Sequence, residues 1–196
     1  MRLILASKSR YRFKLLSDAG LNFEACDAGV DERAVEQALG DNVLPEDRAQ
    51  ILAQTKAVHV SEDLPDALVL GCDQILALGD EILHKAVDFE AARANLLKLS
   101  GKTHTLHSAI ALAVNGEIAW SLTVPAYMTM RKLSPGDIGR HLAFAGQAVL
   151  GSVGCYQIEG PGLQLFEKIE GDYWTIIGLP LLPLIAELRA RGAIDG

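Results

Sequence analysis

The sequence predicts one mixed α/β domain, and three observations carry that expectation. It opens as a short apolar strand running into a helix. A long apolar run, "DALVLGCDQILAL", has the make-up of a strand buried on both faces. Two alternating stretches on either side of Asn115-Gly116 then read as a long antiparallel hairpin.

Taken in order, "RLILA" at 2–6 is the first strand, and Lys8 to Ala19 follow as a helix. Its apolar stripe is Phe13, Leu15 and Leu16, and Gly20 ends it. A strand at about 22–26 leads to "GVDERAVEQALG", where Asp31 and Glu32 open a short helical segment or a loop. Pro45 to about Ser61 is helical, with Ile51, Leu52 and Ala53 inward and Lys56 on it. The apolar strand is expected to break at Gly71 and Asp73. "GDEIL" reads as a turn and return strand, and Asp88 to Leu99 as an amphipathic helix stopped by "SGK".

The hairpin strands cover 103–114 and 117–131, with Leu106, Ile110, Leu112 and Val114 on one face. Ser134 caps a helix to about Phe144, a glycine-rich segment covers 146–162, and "GLPLLPLIAELRARG" closes as a helix. No repeat, linker or low-complexity tract interrupts this order.

The chain has 196 residues, 49% of them hydrophobic, which suffices for one domain or two small lobes sharing a cleft. A formal charge of −7 argues against a nucleic-acid polymer as partner, since such proteins carry a net basic face. The three cysteines, Cys26, Cys72 and Cys155, are widely spaced and form no CxxC, so neither a disulfide framework nor a zinc site is expected. Only four or five apolar residues precede Lys8, and no run approaches the ~20 that span a bilayer. A cytoplasmic protein without a membrane partner is the expectation.

Against that acidic balance, the opening is basic. Arg2, Lys8, Arg10, Arg12 and Lys14 are five of the 18 Lys and Arg residues, and no acid precedes Asp18. A strand-to-helix turn gathers backbone N–H groups at a helix's positive end. Ser7 and Ser9 add hydroxyls there, and Arg12 can make a fork on phosphate. A capped helix with solvated charges would look the same. No GxxxxGK[ST] loop occurs.

Asp73 stands inside "LVLGCDQIL", where a carboxylate is costly unless a metal, lysine or hydrogen-bond donor meets it. A turn-forming aspartate at a strand end is the plainer reading. Glu32, Lys56 and Lys85 each read alone as solvated charges. His104 and His107 are three apart on a strand, so they face opposite sides and do not share a metal. No GxSxG elbow is present.

In this order and spacing, the sequence resembles the Maf family of nucleoside triphosphate pyrophosphatases over nearly its whole length. The matching stretches are "LILASKSRYRFKLLSDAGLNFE", "VDE" at 30–32, "LAQTKA" around Lys56, "GCDQIL" around Asp73 and "ILHK" ending at Lys85. "LLKLSGKTHTLHSAIAL", "EGPGLQLFEKIEGDY" and "IIGLPLLPLIAEL" follow. The resemblance implies a single Maf/inosine-triphosphatase-like α/β unit over 1–196, with a long, bent mixed sheet, helices on its faces and two lobes around a central nucleotide cleft. It implies hydrolysis between the α and β phosphates of a nucleoside triphosphate, giving the monophosphate and pyrophosphate with Mg²⁺ or Mn²⁺. By position, Ser7, Ser9 and Arg12 would bind phosphate. Glu32, Lys56, Asp73 and Lys85 would be the catalytic set, with Glu32 and Asp73 also holding metal and Asp73 accepting the proton of water. A homodimer is left open.

Departures from the family pattern point to a branch. The usual SxSPRR opening is here Ser7-Lys8-Ser9-Arg10-Tyr11-Arg12, GADT is Gly71-Cys72-Asp73-Gln74, and DKAGAYGIQG is "LGSVGCYQIEG". Tyr11, Gln74 and Glu159 resemble the branch acting on 7-methyl-GTP. Glutamate accepts from the N1–H and N2–H₂ edge of guanine and favours the positive charge of an N7-methylated base, and Tyr11 offers a stacking face. The rivals are a dTTP/UTP-preferring or broad pyrophosphatase, and a septum-formation regulatory protein that binds nucleotide with little catalysis.

Overall fold

The computed structural model describes residues 2–40 and 42–195. It is a mixed α/β structure whose seven strands run in the order β2-β1-β3-β5-β6-β7, with β4 paired to β3 off that path. The chain divides into two compact units. One comprises the chain through Gln74, His107–Pro125 and the segment from Asp172 on, and the other comprises Ile75–Leu106 and Ala126–Gly171.

In the first unit, β1 (Arg2–Ala6) lies between β2 (Glu24–Cys26) and β3 (Ala67–Leu78), and both pairings are parallel. Strand alternation sends its side chains to two cores. Leu3 and Leu5 join Leu68, Leu70 and Cys72 against α1 (Arg10–Asp18) and α7 (Leu181–Ala190). Ile4 and Ala6 join Ala67 and Val69 against Val60 of α3 (Pro45–Asp63). The inner strands are therefore apolar on both faces, as parallel strands covered by helices must be. Short α2 (Glu32–Leu39) precedes α3 and buries none of its side chains. β5 (Thr103–Val114) and β6 (Glu117–Met130) join through Asn115 and Gly116, whose φ angles of 52° and 79° suit a two-residue hairpin turn.

The second unit holds β4 (Glu81–Leu83), α4 (Phe89–Leu99), α5 (Pro135–Ala145) and β7 (Phe166–Glu170). Asp88 caps α4, and Ser134 with Asp137 forms a capping box on α5. His104, Tyr156 and Phe166 form a ring cluster in which His104 Nε2 and the Tyr156 hydroxyl are 2.7 Å apart. His104 is fully buried beside these rings and its Nδ1 has no partner, so burial pushes its pKa down to about 4.

Several expectations need correction. β3 is unbroken from Ala67 to Leu78, because Gly71 and Asp73 remain in strand geometry. β7 and α6 (Tyr173–Ile177) occupy a stretch with no clear periodicity, and five residues each are too few to show one. Phe13 is about half exposed, meeting Phe23 edge-on at 5.1 Å rather than joining the core with Leu15 and Leu16. Among the described residues no helix is long and apolar enough to cross a membrane.

Candidate active site

The path of the chain in the first unit marks a place for a ligand. From β1 the chain passes through α1 on one face to β2. It returns through α2 and α3 on the other face to β3, on the opposite side of β1. The carboxyl ends of β1 and β3 therefore flank a switch point, where open parallel sheets bind ligands. β3 pairs with β1 as far as Gly71 and with β4 from Leu76, so residues 72–75 have no register partner on either of these strands.

On the α3 face, Gly71 sets the geometry. A Cβ there would stand 2.1 Å from the Ala53 carbonyl oxygen and 2.7 Å from the Ala57 nitrogen, so only glycine lets the helix come this close. One helical position before Ala57 is Lys56, and two strand positions after Gly71, on the same face, is Asp73. The Lys56 ammonium donates to Asp73 Oδ1 at 2.7 Å and lies 2.8 Å from Glu32 Oε1. Lys56 and Asp73 are buried, whereas the Glu32 side chain is 56% exposed. A residue that reads alone as a solvated charge is thus an internal ammonium joining two carboxylates. Asp31 caps α2 through the Ala34 N–H, which puts Glu32 in the first turn facing α3.

The α1 face is built around a guanidinium. Ser9 caps α1 by accepting from the Arg12 N–H, and Ser7 Oγ accepts from the Ser9 N–H at 3.2 Å. Arg12 donates from Nε to the Gly178 carbonyl at 2.9 Å, and from Nη1 to the Cys72 carbonyl at 3.0 Å and to Ser7 Oγ at 3.4 Å. Its Nη2 has no partner among the described residues. These acceptors are uncharged, so the positive charge of Arg12 is oriented without being neutralised. The Ser7 hydroxyl accepts both of its bonds and keeps its own hydrogen for an outside acceptor.

Gln74 follows Asp73 and, by the period of two, points to this same α1 face. Its amide nitrogen donates to Ser108 Oγ at 2.9 Å and to the carbonyls of Ile176 and Thr175 at 3.0 and 3.3 Å. Gly178, with φ of 105°, follows α6, and a Cβ there would lie 3.7 Å from both the Arg12 guanidinium and the Gln74 amide. Gln74 and Arg12 therefore brace the same helix end. The Tyr11 hydroxyl accepts from Arg10 Nη2 at 2.9 Å, and the Arg10 guanidinium sits 4.9 Å from the ring centroid. One face of that ring is already in use by a cation.

Lys85 and Glu159 belong to the second unit, and both are exposed, with no ion-pair partner among the described residues. The backbone beside Lys85 is anchored, since Asn95 Nδ2 donates to the His84 carbonyl at 3.3 Å and lies 4.0 Å from Cys155 Sγ. The structure thus joins Glu32, Lys56 and Asp73 in one cluster and links Ser7, Ser9, Arg12 and Gln74 in another. Sequence reasoning missed Arg48, Ser108, Thr175 and Gly178 as supports. Gly71 was noticed only as a strand break, although a glycine within a strand also signals close backbone approach.

The sequence matches known proteins over nearly its whole length. The family model described as Maf-like protein matches residues 2–191. A protein of Mesorhizobium japonicum named 7-methyl-GTP pyrophosphatase is 61% identical over 100% of this chain and 98% of its own length. Proteins of the same name from Brucella abortus and Rhizobium johnstonii are 57% and 52% identical over 100% of this chain, and over 99% and 98% of their own lengths.

Proposed function

The chain belongs to the Maf family, and from that premise we propose that it is a nucleoside triphosphate pyrophosphatase acting on 7-methyl-GTP in the cytoplasm. Water adds across the α–β phosphoanhydride, and the products are 7-methyl-GMP and pyrophosphate. The observation that carries the reading is the buried Lys56 ammonium held between Asp73 and Glu32, just past the point where parallel pairing of β1 with β3 ends.

In this reading Arg12 and the Ser7 and Ser9 hydroxyls grip the phosphates. The bonds from Arg12 Nε and Nη1 to the Gly178 and Cys72 carbonyls fix the plane of the fork, and Nη2 is left for a phosphate oxygen. Lys56 holds the Asp73 carboxylate in place through Oδ1, and Asp73 takes a proton from the attacking water at Oδ2. Lys85 is the cation assigned to the negative charge that develops on the leaving pyrophosphate.

Divalent Mg²⁺ or Mn²⁺ fits the donor set. Among the described residues no three His, Cys, Asp or Glu side chains cluster, so the protein's share is the two carboxylates of Glu32 and Asp73. Two carboxylates completed by phosphate oxygens and water is how such hard cations are held beside nucleotides. When bound, the cation would offset phosphate charge and orient the water.

Base choice is assigned to Glu159 as acceptor for the guanine edge, with the Tyr11 ring as a stacking surface. Gln74, its amide nitrogen committed to α6, is the third residue of this specificity set by family resemblance. The test is pyrophosphate release with Mg²⁺ or Mn²⁺ across canonical and methylated triphosphates. The expected result is highest kcat/KM on 7-methyl-GTP, and a Glu159→Gln protein that loses this preference. Release from none of the nucleotides would overturn the enzyme assignment. An unchanged ranking in Glu159→Gln would remove that residue from recognition.

A further inference from the structure

We propose that Arg48 is the positioning residue for Glu32, holding the far end of α2 on α3 so that the acid meets Lys56. This rests on the catalytic reading of Glu32 above. α2 has eight residues and buries none of them. A helix that short does not persist by itself, and here its apolar side chains Val35 and Leu39 are only partly buried. The contacts that fix its two ends are polar.

At the N-terminal end, Glu32 meets the Lys56 ammonium at 2.8 Å. At the C-terminal end, the Arg48 guanidinium donates from Nη1 to the Glu36 carbonyl at 3.1 Å and from Nη2 to the Gly40 carbonyl. Gly40, with φ of 70°, ends the helix and turns that carbonyl toward α3. A cation at a helix C-terminus also meets the negative end of the helix dipole.

Arg48, Leu52, Lys56 and Val60 form one i, i+4 stripe of α3, and all four are buried. Arg48 and Lys56 are thus two turns apart, about 12 Å, which matches the length of an eight-residue helix. The two cations of the stripe therefore clamp the two ends of α2. Packing alone does not account for an arginine here. Arg48 is only 8% exposed, and among the described residues its Nε has no partner and no carboxylate pairs with it, so an apolar residue of similar length would be the less costly filler. Without Arg48 the last-turn carbonyls of α2 turn to water. Glu32 would then depend on one ion pair made by a half-exposed side chain, which is weak by itself.

The experiment uses the full-length protein with the substitutions Arg48→Met, Arg48→Lys, Glu32→Gln and Arg48→Met combined with Glu32→Gln. Pyrophosphate release from 7-methyl-GTP is followed at steady state, and by single turnover at high enzyme concentration for the Glu32→Gln proteins. Arg48→Met is expected to lower kcat about tenfold, as a small misplacement of a reacting group does, with KM changed by less than about twofold. Hydrogen exchange should speed up over Glu32–Leu39 and not elsewhere. Arg48→Lys should regain part of kcat, because an ammonium reaches one of the two carbonyls.

In the Glu32→Gln background Arg48→Met should cost nothing more, since both changes remove the same contribution. Turnover of Arg48→Met within about twofold of wild type, or a tenfold loss that persists in the Glu32→Gln background, overturns the positioning role. Near wild-type turnover of Glu32→Gln itself would instead remove Glu32 from catalysis, a different failure from a severe Glu32→Gln loss beside an unaffected Arg48→Met.

Discussion

Two cations flank β3 on opposite faces, and the chain satisfies them with opposite chemistry. Lys56 lies between two carboxylates, so its surroundings keep an excess of negative charge. Among the described residues Arg12 is met only by carbonyl oxygens and a hydroxyl, so its positive charge stays open to an anion. Neighbouring residues of one strand serve the two faces, Asp73 toward α3 and Gln74 toward α6. The difference shows how a short segment can present an acidic half suited to a cation and a water and a basic half suited to phosphate. Neither half calls for a net basic protein.

The sharpest break in this contrast is Asp73→Asn. The amide keeps the shape and still accepts from Lys56, while Glu32 still balances the ammonium, so the fold should survive. With Asp73 as the proposed proton acceptor, pyrophosphate release should fall about 10³-fold, within the range for removal of a general base. Turnover near wild type, with an unchanged thermal melt, would leave the acidic half without its base.

The next effect separates the site from the fold under acid. His104 lies in the second unit, outside both halves, with its folded pKa lowered to about 4 by burial. The unfolded chain binds that proton near pH 6.5, so the unfolded state holds more protons between those values. Stability is therefore full above pH 6.5 and falls as the pH drops toward 4, by about 3 kcal/mol in all from this group. Urea unfolding at pH 7 and pH 4.5 measures the loss, and His104→Asn should flatten it. An equal loss in His104→Asn would place the acid sensitivity elsewhere.

Gly71→Ala tests the distance on which the acidic half depends. The new methyl would meet the backbone of α3, which must move, at a cost of about 2 kcal/mol. Because the same movement parts Lys56 from Asp73, stability and turnover should fall together. A stable protein with weak activity would show that the spacing matters apart from the fold.

Much of this was legible in the sequence, for reasons that particular residues make plain. The order of strand, basic turn and helix at the start, the Asn115-Gly116 hairpin and the Ser134 cap all rest on local chemistry that tertiary packing did not override. Asp73 stood out because a carboxylate in an apolar strand needs a partner. The partner was less visible, although Lys56 lies four residues from both Leu52 and Val60 and so shares their buried stripe. The opposed directions of Asp73 and Gln74 were also implicit in the period of two. What no local pattern contained was the long-range set: Arg12 on the Gly178 carbonyl, Gln74 on α6, and Arg48 on the end of α2. Each joins a side chain to a backbone carbonyl, and a carbonyl has no signature in the sequence.

The basic half yields the smallest and most specific effect. Arg12→Lys keeps the positive charge but not the planar fork, so the ammonium cannot hold the Gly178 and Cys72 carbonyls in place of Nε and Nη1 and also supply the outward donor that Nη2 provides. Phosphate affinity should fall, with KM for 7-methyl-GTP rising about tenfold, or about 1.4 kcal/mol. If the lost contact holds the triphosphate equally in the ground and transition states, kcat should stay within about twofold. Asp73→Asn should do the reverse, lowering kcat with KM little changed. Measured together, the two substitutions define a grip and a reaction centre on opposite faces of one strand. A kcat loss in Arg12→Lys as large as its KM change would instead join Arg12 to the transition state, and the division between the two halves would then lie in charge alone.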